Sequence, residues 1–269
     1  MLHQSSWPFV VRRLRRGAAA EPDPSPVDIF ASGEPGVWLD PADSATLFSD
    51  TAGTTQAQIG DPVALVLDKS GNGNHAVQST LASRPILREA DGLRYLEFDG
   101  VDDALVTPTI TPGTDQAQVV AGVRKLSDAA RGVIVSHAGG VSRFISLDAP
   151  RANGAATVGA IGGGATTDFT ATALGLAAPV TAVITGTYDI STAPRQAIRV
   201  NGDFISEDTR DVGASTFMEG ELTIGERGNG SRFFNGRIYS LIVRFGPNLD
   251  TATIARTEGY VAQRTGVTL

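Results

Sequence analysis

The hydrophobic positions of this chain fall into short runs and strict alternations, with little of the three-to-four spacing of an amphipathic helix. Near-continuous apolar runs occupy residues 63–67, 118–123, 132–135 and 180–184. Runs of that length, rich in valine and isoleucine, predict strands covered on both faces. Alternation is cleaner over 94–98, 143–147 and 237–243. In the last of these, period two places Ile238, Ser240 and Ile242 on one face and Tyr239, Leu241 and Val243 on the other. Both faces are largely apolar, so this strand too is expected to be covered twice.

Turn residues separate the runs. Asn201-Gly202 stands between 198–200 and 204–205, a strong hairpin signal because both residues tolerate positive φ. Asp99-Gly100, Asn153-Gly154, Asn229-Gly230 and Asn235-Gly236 mark further breaks. One helix is predicted, capped by Asp250, with Ile254, Thr257 and Val261 on one side and Gly266 at its end. Strands without interspersed helices exclude a doubly wound or α/β-barrel fold. The expectation is an all-β, two-sheet antiparallel sandwich with a short C-terminal helix.

Composition refines this picture. Among 269 residues there are 31 glycines, 14 prolines and only 6% aromatics, which suits many strands joined by turns. The 243 residues from 27 to 269 fit one large sandwich domain. Residues 1–26 read as a separate arm. It carries Trp7, Phe9, Arg12, Arg13, Arg15 and Arg16, then a spacer with alternating prolines at 22, 24 and 26 that favours extended backbone. The arginines follow the apolar group, the reverse of a secretory signal. No stretch approaches the ~18 apolar residues of a membrane helix. The net charge of -7 makes nucleic acid an unexpected partner for the molecule as a whole. With no cysteine, disulfides, thiolate metal sites and cysteine nucleophiles are all absent.

Three stretches resemble the concanavalin A-like lectin/glucanase (laminin G-like) superfamily. They are Tyr95-Leu96-Glu97-Phe98-Asp99-Gly100-Val101-Asp102-Asp103, the hairpin tipped by Asn201-Gly202, and Leu222-Thr223-Ile224-Gly225 with Phe234-Asn235-Gly236-Arg237-Ile238. A narrower likeness, to laminin G-like proteins of tailed bacteriophages and related particles, lies in Gly36-Val37-Trp38-Leu39-Asp40-Pro41-Ala42-Asp43, Leu67-Asp68-Lys69-Ser70-Gly71-Asn72-Gly73-Asn74-His75-Ala76 and Ser83-Arg84-Pro85. The resemblance implies a jelly-roll sandwich in a virion-associated spike, fibre or decoration protein that meets host-surface polysaccharide. The expected partners are other virion structural proteins and further copies of the chain, with no membrane. Residues 1–26 would dock on a neighbouring subunit, ahead of an inert tail and well ahead of nucleic-acid contact.

Candidate chemistry is sparse. Gly71-Asn72-Gly73-Asn74-His75-Ala76 matches a dinucleotide fingerprint, but no helical pattern follows it, so a turn is expected. Glucanases of the superfamily set acidic residues alternately along one strand. Here Glu97-Phe98-Asp99 continues as Gly100-Val101 with no third acid, and no catalytic residue is expected. His3, His75 and His137 are scattered. Asp99, Asp102 and Asp103 form a loop that could meet a glycan or offer hard oxygen ligands to calcium, although aspartates flank glycine turns in any case; no other cofactor is expected. Trp38, Tyr188, Phe204 and Phe233 are candidate stacking platforms for a sugar, each with a competing place in the core. A non-viral bacterial carbohydrate-binding or adhesion module is the alternative, and a polysaccharide-degrading enzyme a weaker one.

Overall fold

The computed structural model describes residues 25–140, 143–192 and 196–269. The arm residues Trp7, Phe9, Arg12, Arg13, Arg15 and Arg16 lie outside the described residues. Ser25 caps a 3-10 turn over Pro26–Phe30 that packs on the sandwich.

Among the described residues the strands are, in chain order, β1 (Gly36–Leu39), β2 (Leu47–Phe48), β3 (Leu65–Val66), β4 (Ala76–Val77), β5 (Ile86–Ala90), β6 (Leu93–Asp99), β7 (Leu105–Val106), β8 (Gln116–Lys125) and β9 (Val133–His137). They continue as β10 (Ile145–Asp148), β11 (Thr157–Gly163), β12 (Asp168–Leu174), β13 (Val180–Asp189), β14 (Gln196–Val200), β15 (Asp203–Asp208), β16 (Leu222–Ile224) and β17 (Asn235–Phe245), before helix α1 (Thr251–Thr265). The first sheet runs β15-β14-β13-β8-β17-β6-β5, with β1 also pairing with β17. The second runs β12-β11-β10-β9-β16-β7-β4-β3-β2. All these pairings are antiparallel, as in β8 against β13 and against β17, so the fold is the expected all-β sandwich.

The main core lies between the sheets. From β8 it takes Val119, Ala121 and Val123; from the second sheet it takes Val135, Leu147, Ala160 and Ala171. Val120 of β8 instead joins a second cluster with Trp38, Val183, Ile242, Tyr260 and Val261 on the outer face of the first sheet. The near-continuous apolar run of β8 therefore has the predicted cause: α1 covers one face and the second sheet covers the other.

In β17 the period-two reading needs correction. Ile238 shares the inter-sheet core with Leu241 and Val243, while Ile242 faces α1. The register against β8 shifts between Ile238 and Ser240, so a bulge at Tyr239 inserts one residue and reverses the alternation.

The hairpin and the helix follow their local signals. Asn201 (φ 50°) and Gly202 (φ 85°) make the turn between β14 and β15. The Asp250 carboxylate accepts from the Thr253 amide at 2.8 Å, and Gly266 ends α1 in the left-handed conformation. The buried face of α1 is carried by Thr257, Glu258, Tyr260, Val261, Ala262 and Thr265, with Ile254 only half-buried. Glu258 is fully covered and is satisfied by Arg199 and the Thr185 hydroxyl, both at 2.8 Å.

Candidate functional site

The outer face of the second sheet is built differently. Strands β10, β11 and β12 turn Ile145, Leu147, Ala160, Phe169 and Ala171 inward to the core. Their alternate residues, among them Ser146, Asp148, Ile161 and Thr170, therefore point outward, on the side away from α1, which contacts β6, β8, β13 and β17 of the first sheet. Here the loops at one end of the sheet contribute arginines. Arg131 precedes β9, Arg151 follows β10, and Arg227 and Arg232 sit between β16 and β17. Strands β10, β9 and β16 are neighbours, which is what brings these distant positions together.

The four arginines line a small cup of about 140 Å³, floored by Ser146, Ile161 and Thr170 and bounded by Phe144 and Asp168. Asp148 anchors it. Its carboxylate is fully buried, pairs with the Arg131 guanidinium at 2.5 Å and accepts from the Ser146 hydroxyl. Complete burial pushes the Asp148 carboxyl upward, against the pull of Arg131 and Ser146. Burial, and next the Arg131 cation, pushes the Arg151 guanidinium below its ordinary value. The Arg151 Nε is buried and has no hydrogen-bond partner among the described residues. Arg232 is lowered by burial and then by the charges of Arg131 and Arg227. The cup thus concentrates more positive charge than its aspartates neutralise.

Arg131 and Arg232 also form the wall of a wider, more open depression of about 470 Å³, completed by Gly100, Ala130, Asn153 and Phe233. Phe233 is half-buried. The Asn153 side-chain oxygen accepts from the Arg131 backbone amide at 2.7 Å. Glu226 opens the loop that carries Arg227 and Arg232, and burial pushes its carboxyl upward against the pull of the Gly230 and Ser231 backbone. Arg232 itself adopts φ 59°, a left-handed conformation that costs a residue with a β-carbon about 1 kcal/mol.

The sequence-predicted aspartates adjoin this surface through Gly100. Asp99 accepts from the Val101 amide at 2.7 Å, Asp103 accepts from the Asp99 amide at 2.9 Å, and Asp102 accepts from the Ser83 hydroxyl at 3.0 Å. Asp99 and Asp103 brace their own turn, Asp102 ties it to Ser83, and the three carboxylates also gather within 4.8 Å of one another. Burial, reinforced by the charges of Asp99 and Asp102, pushes Asp103 up to about 6. Three hard oxygen donors with unrelieved negative charge suit a calcium ion chemically.

Other motifs resolve as structure. Asp68 accepts from the Trp38 amide at 2.9 Å, the Ser70 hydroxyl at 2.7 Å and the Asn74 amide at 3.0 Å, so the Gly71–Ala76 stretch is a turn leading into β4. Glu97 pairs with Arg88 and Arg237 at 3.3 and 3.2 Å. Of the aromatic candidates, Trp38 and Tyr188 are core residues, Phe204 is exposed on β15, and Phe233 alone stands at the double depression. The arginines were not among the predicted site residues; their only trace in the sequence is that Asn153-Gly154 and Asn229-Gly230 turns adjoin them.

No family model and no curated protein matches the chain. Solved structures do. A structure from work on botulinum neurotoxin type C, whose cell entry depends on two ganglioside molecules, shares 12% identity at a TM-score of 0.55, covering 85% of this chain and 51% of that one. The binding domain of botulinum neurotoxin DC in complex with SialylT shares 11% at 0.55, covering 82% and 52%. The serotype G binding domain shares 12% at 0.53, covering 72% and 48%. This chain spans about half the length of each. At this identity the likeness shows the lectin-like sandwich fold, and it does not single out laminin G-like or phage proteins.

Proposed function

We propose that this chain is a non-catalytic binding module whose sandwich holds a surface glycan and whose N-terminal arm anchors it to a virion or related particle, with several copies displayed together. The observation that carries the glycan half is the paired depression on the uncovered face of the second sheet, where arginines meet the half-exposed ring of Phe233 and the amide of Asn153. That mixture of donors and an aromatic platform suits a sugar. The fold's structural neighbours support the same reading: one comes from work on ganglioside-dependent cell entry, another is a complex with SialylT. Because this chain matches about half of each, their ligands are no guide to where a sugar sits here. The engagement of Glu97 by two arginines favours binding over hydrolysis.

The particle half rests on the phage-like stretches between Gly36 and Pro85 and on the basic arm. A bacterial adhesion module would use the same face without the particle. Two experiments decide. Fluorescently labelled full-length protein is expected to stain host cells and to lose them when the capsule is stripped; equal staining of stripped cells contradicts glycan binding. Particles assembled with a protein lacking residues 1–24 are expected to be devoid of it, and normal incorporation removes the anchor role.

A further inference from the structure

Resting on that glycan reading, we infer that the ligand is an acidic saccharide, with its anionic group in the small cup against Arg151 and Arg232 and its ring over Phe233 in the wider depression. The cup and the wider depression share the wall formed by Arg131 and Arg232, so an anionic substituent and the ring that carries it have adjoining places. Arg131 is committed to Asp148 and serves to position the wall. Arg151 brings an Nε donor that is already stripped of water and unpartnered. A buried donor without an acceptor costs free energy, and a carboxylate or sulfate that draws the Arg151 side chain into the cup relieves that cost with a charge-assisted hydrogen bond. Arg232 is held in a backbone conformation that glycine would adopt more easily. Strain of this kind is characteristic of sites that fix a side chain for binding.

A neutral sugar would bring no charged acceptor to the Arg151 guanidinium, whose Nε has no hydrogen-bond partner among the described residues. A nucleic acid fits less well. The arginines converge on one cup of about 140 Å³, the scale of a single anionic group, rather than along a track of phosphates. The chain as a whole is acidic, with a net charge of -7.

The test is calorimetric titration of full-length protein with polygalacturonate, dextran sulfate, neutral dextran and a single-stranded oligodeoxynucleotide. Polygalacturonate or dextran sulfate should bind, the better of the two identifying carboxylate or sulfate as the preferred group, and neutral dextran should not. Arg151→Gln and Arg232→Gly should each weaken binding by about tenfold or more, the effect of losing a hydrogen bond to a charged group. Arg94→Gln, on the first sheet, should leave it unchanged. Since glycine suits the Arg232 backbone, Arg232→Gly should melt no lower than the parent, which separates lost binding from lost folding. Unaltered binding in both site variants, or equal binding of neutral dextran, overturns the acidic assignment and leaves the glycan reading standing. Binding of the oligonucleotide as tightly as any acidic saccharide overturns it in favour of nucleic acid. Absence of saccharide binding, together with capsule-independent cell staining, overturns both.

Discussion

The two sheets use their outer faces in opposite ways. On the first sheet the outer face is apolar and closed: Trp38, Val120, Val183 and Ile242 lie beneath Tyr260, Val261 and Ala262 of α1. On the second sheet the equivalent face carries polar residues, and among the described residues it is covered by loop arginines that line a cup rather than by α1. One face adds to stability, so the other is released from that duty and can carry unpaired donors and a strained arginine. The difference teaches where to look in a sandwich of this kind: at the layer that the helix leaves uncovered.

The comparison is tested most severely where the closed face is tightest. A β-carbon added at Gly122 of β8 would lie 2.3 Å from Thr265 Cγ2 and 2.8 Å from Val261 Cγ1. Gly122→Val is therefore expected to lift α1 and destabilise the protein by about 3 kcal/mol, measured by urea unfolding. A change within the ordinary scatter of surface substitutions would mean that α1 is not closely seated.

The second sheet should add an acid-sensitive component from its inner side. His137 on β9 is buried against Phe245, and burial holds its imidazole down at about 4. A histidine whose folded value lies below its unfolded value of about 6.5 stabilises the fold in its neutral form. That contribution is complete above about pH 6.5 and is lost as pH falls toward 4. His137→Leu should flatten the stability–pH curve in this window by about 3 kcal/mol; an unchanged curve would show that His137 does not govern it.

Asp103 has the opposite sign. Its carboxyl is raised to about 6, so its ionised form is disfavoured in the fold, and stability should fall as pH rises from about 4 to 6. Asp103→Asn keeps an oxygen for the Asp99 amide and should stabilise the protein near neutrality by on the order of 1 kcal/mol, allowing for solvent screening. Calcium bound by the three aspartates would reverse this, making the parent the more stable in its presence. Calorimetric melting with and without calcium distinguishes the cases.

The smallest effect on folding is expected on the open face. A β-carbon at Gly159 would meet Arg151 Cδ at 2.8 Å, a movable side chain rather than a helix. Gly159→Ala should cost less than about 1 kcal/mol in stability yet displace Arg151 and weaken saccharide binding. A large loss of stability would show the two faces to be equally rigid.

Much of the fold was legible because its signals are local. Asp250 and Gly266 bracket the helix, Asn201-Gly202 sets a hairpin, and apolar runs mark strands such as β8 that are covered twice. The alternation in β17 was misread because a bulge at Tyr239 depends on pairing with β8, which no single strand encodes. The site was less legible still. Arg131, Arg151, Arg227 and Arg232 have no regular spacing, and only the adjacency of β10, β9 and β16 brings them together. Phe233 and the Asp99–Asp103 turn could be named from the sequence, but their position beside one depression follows from β6 pairing with β17, where Asp99 faces Asn235.

The most direct measurement of the central claim is hydrogen–deuterium exchange of the full-length protein with and without polygalacturonate. Exchange should slow around residues 131, 151–153 and 227–233 while α1 is unchanged. Slowing confined to α1 or to the first sheet, or no slowing at saturating saccharide, would contradict the assignment of the open face as the binding surface.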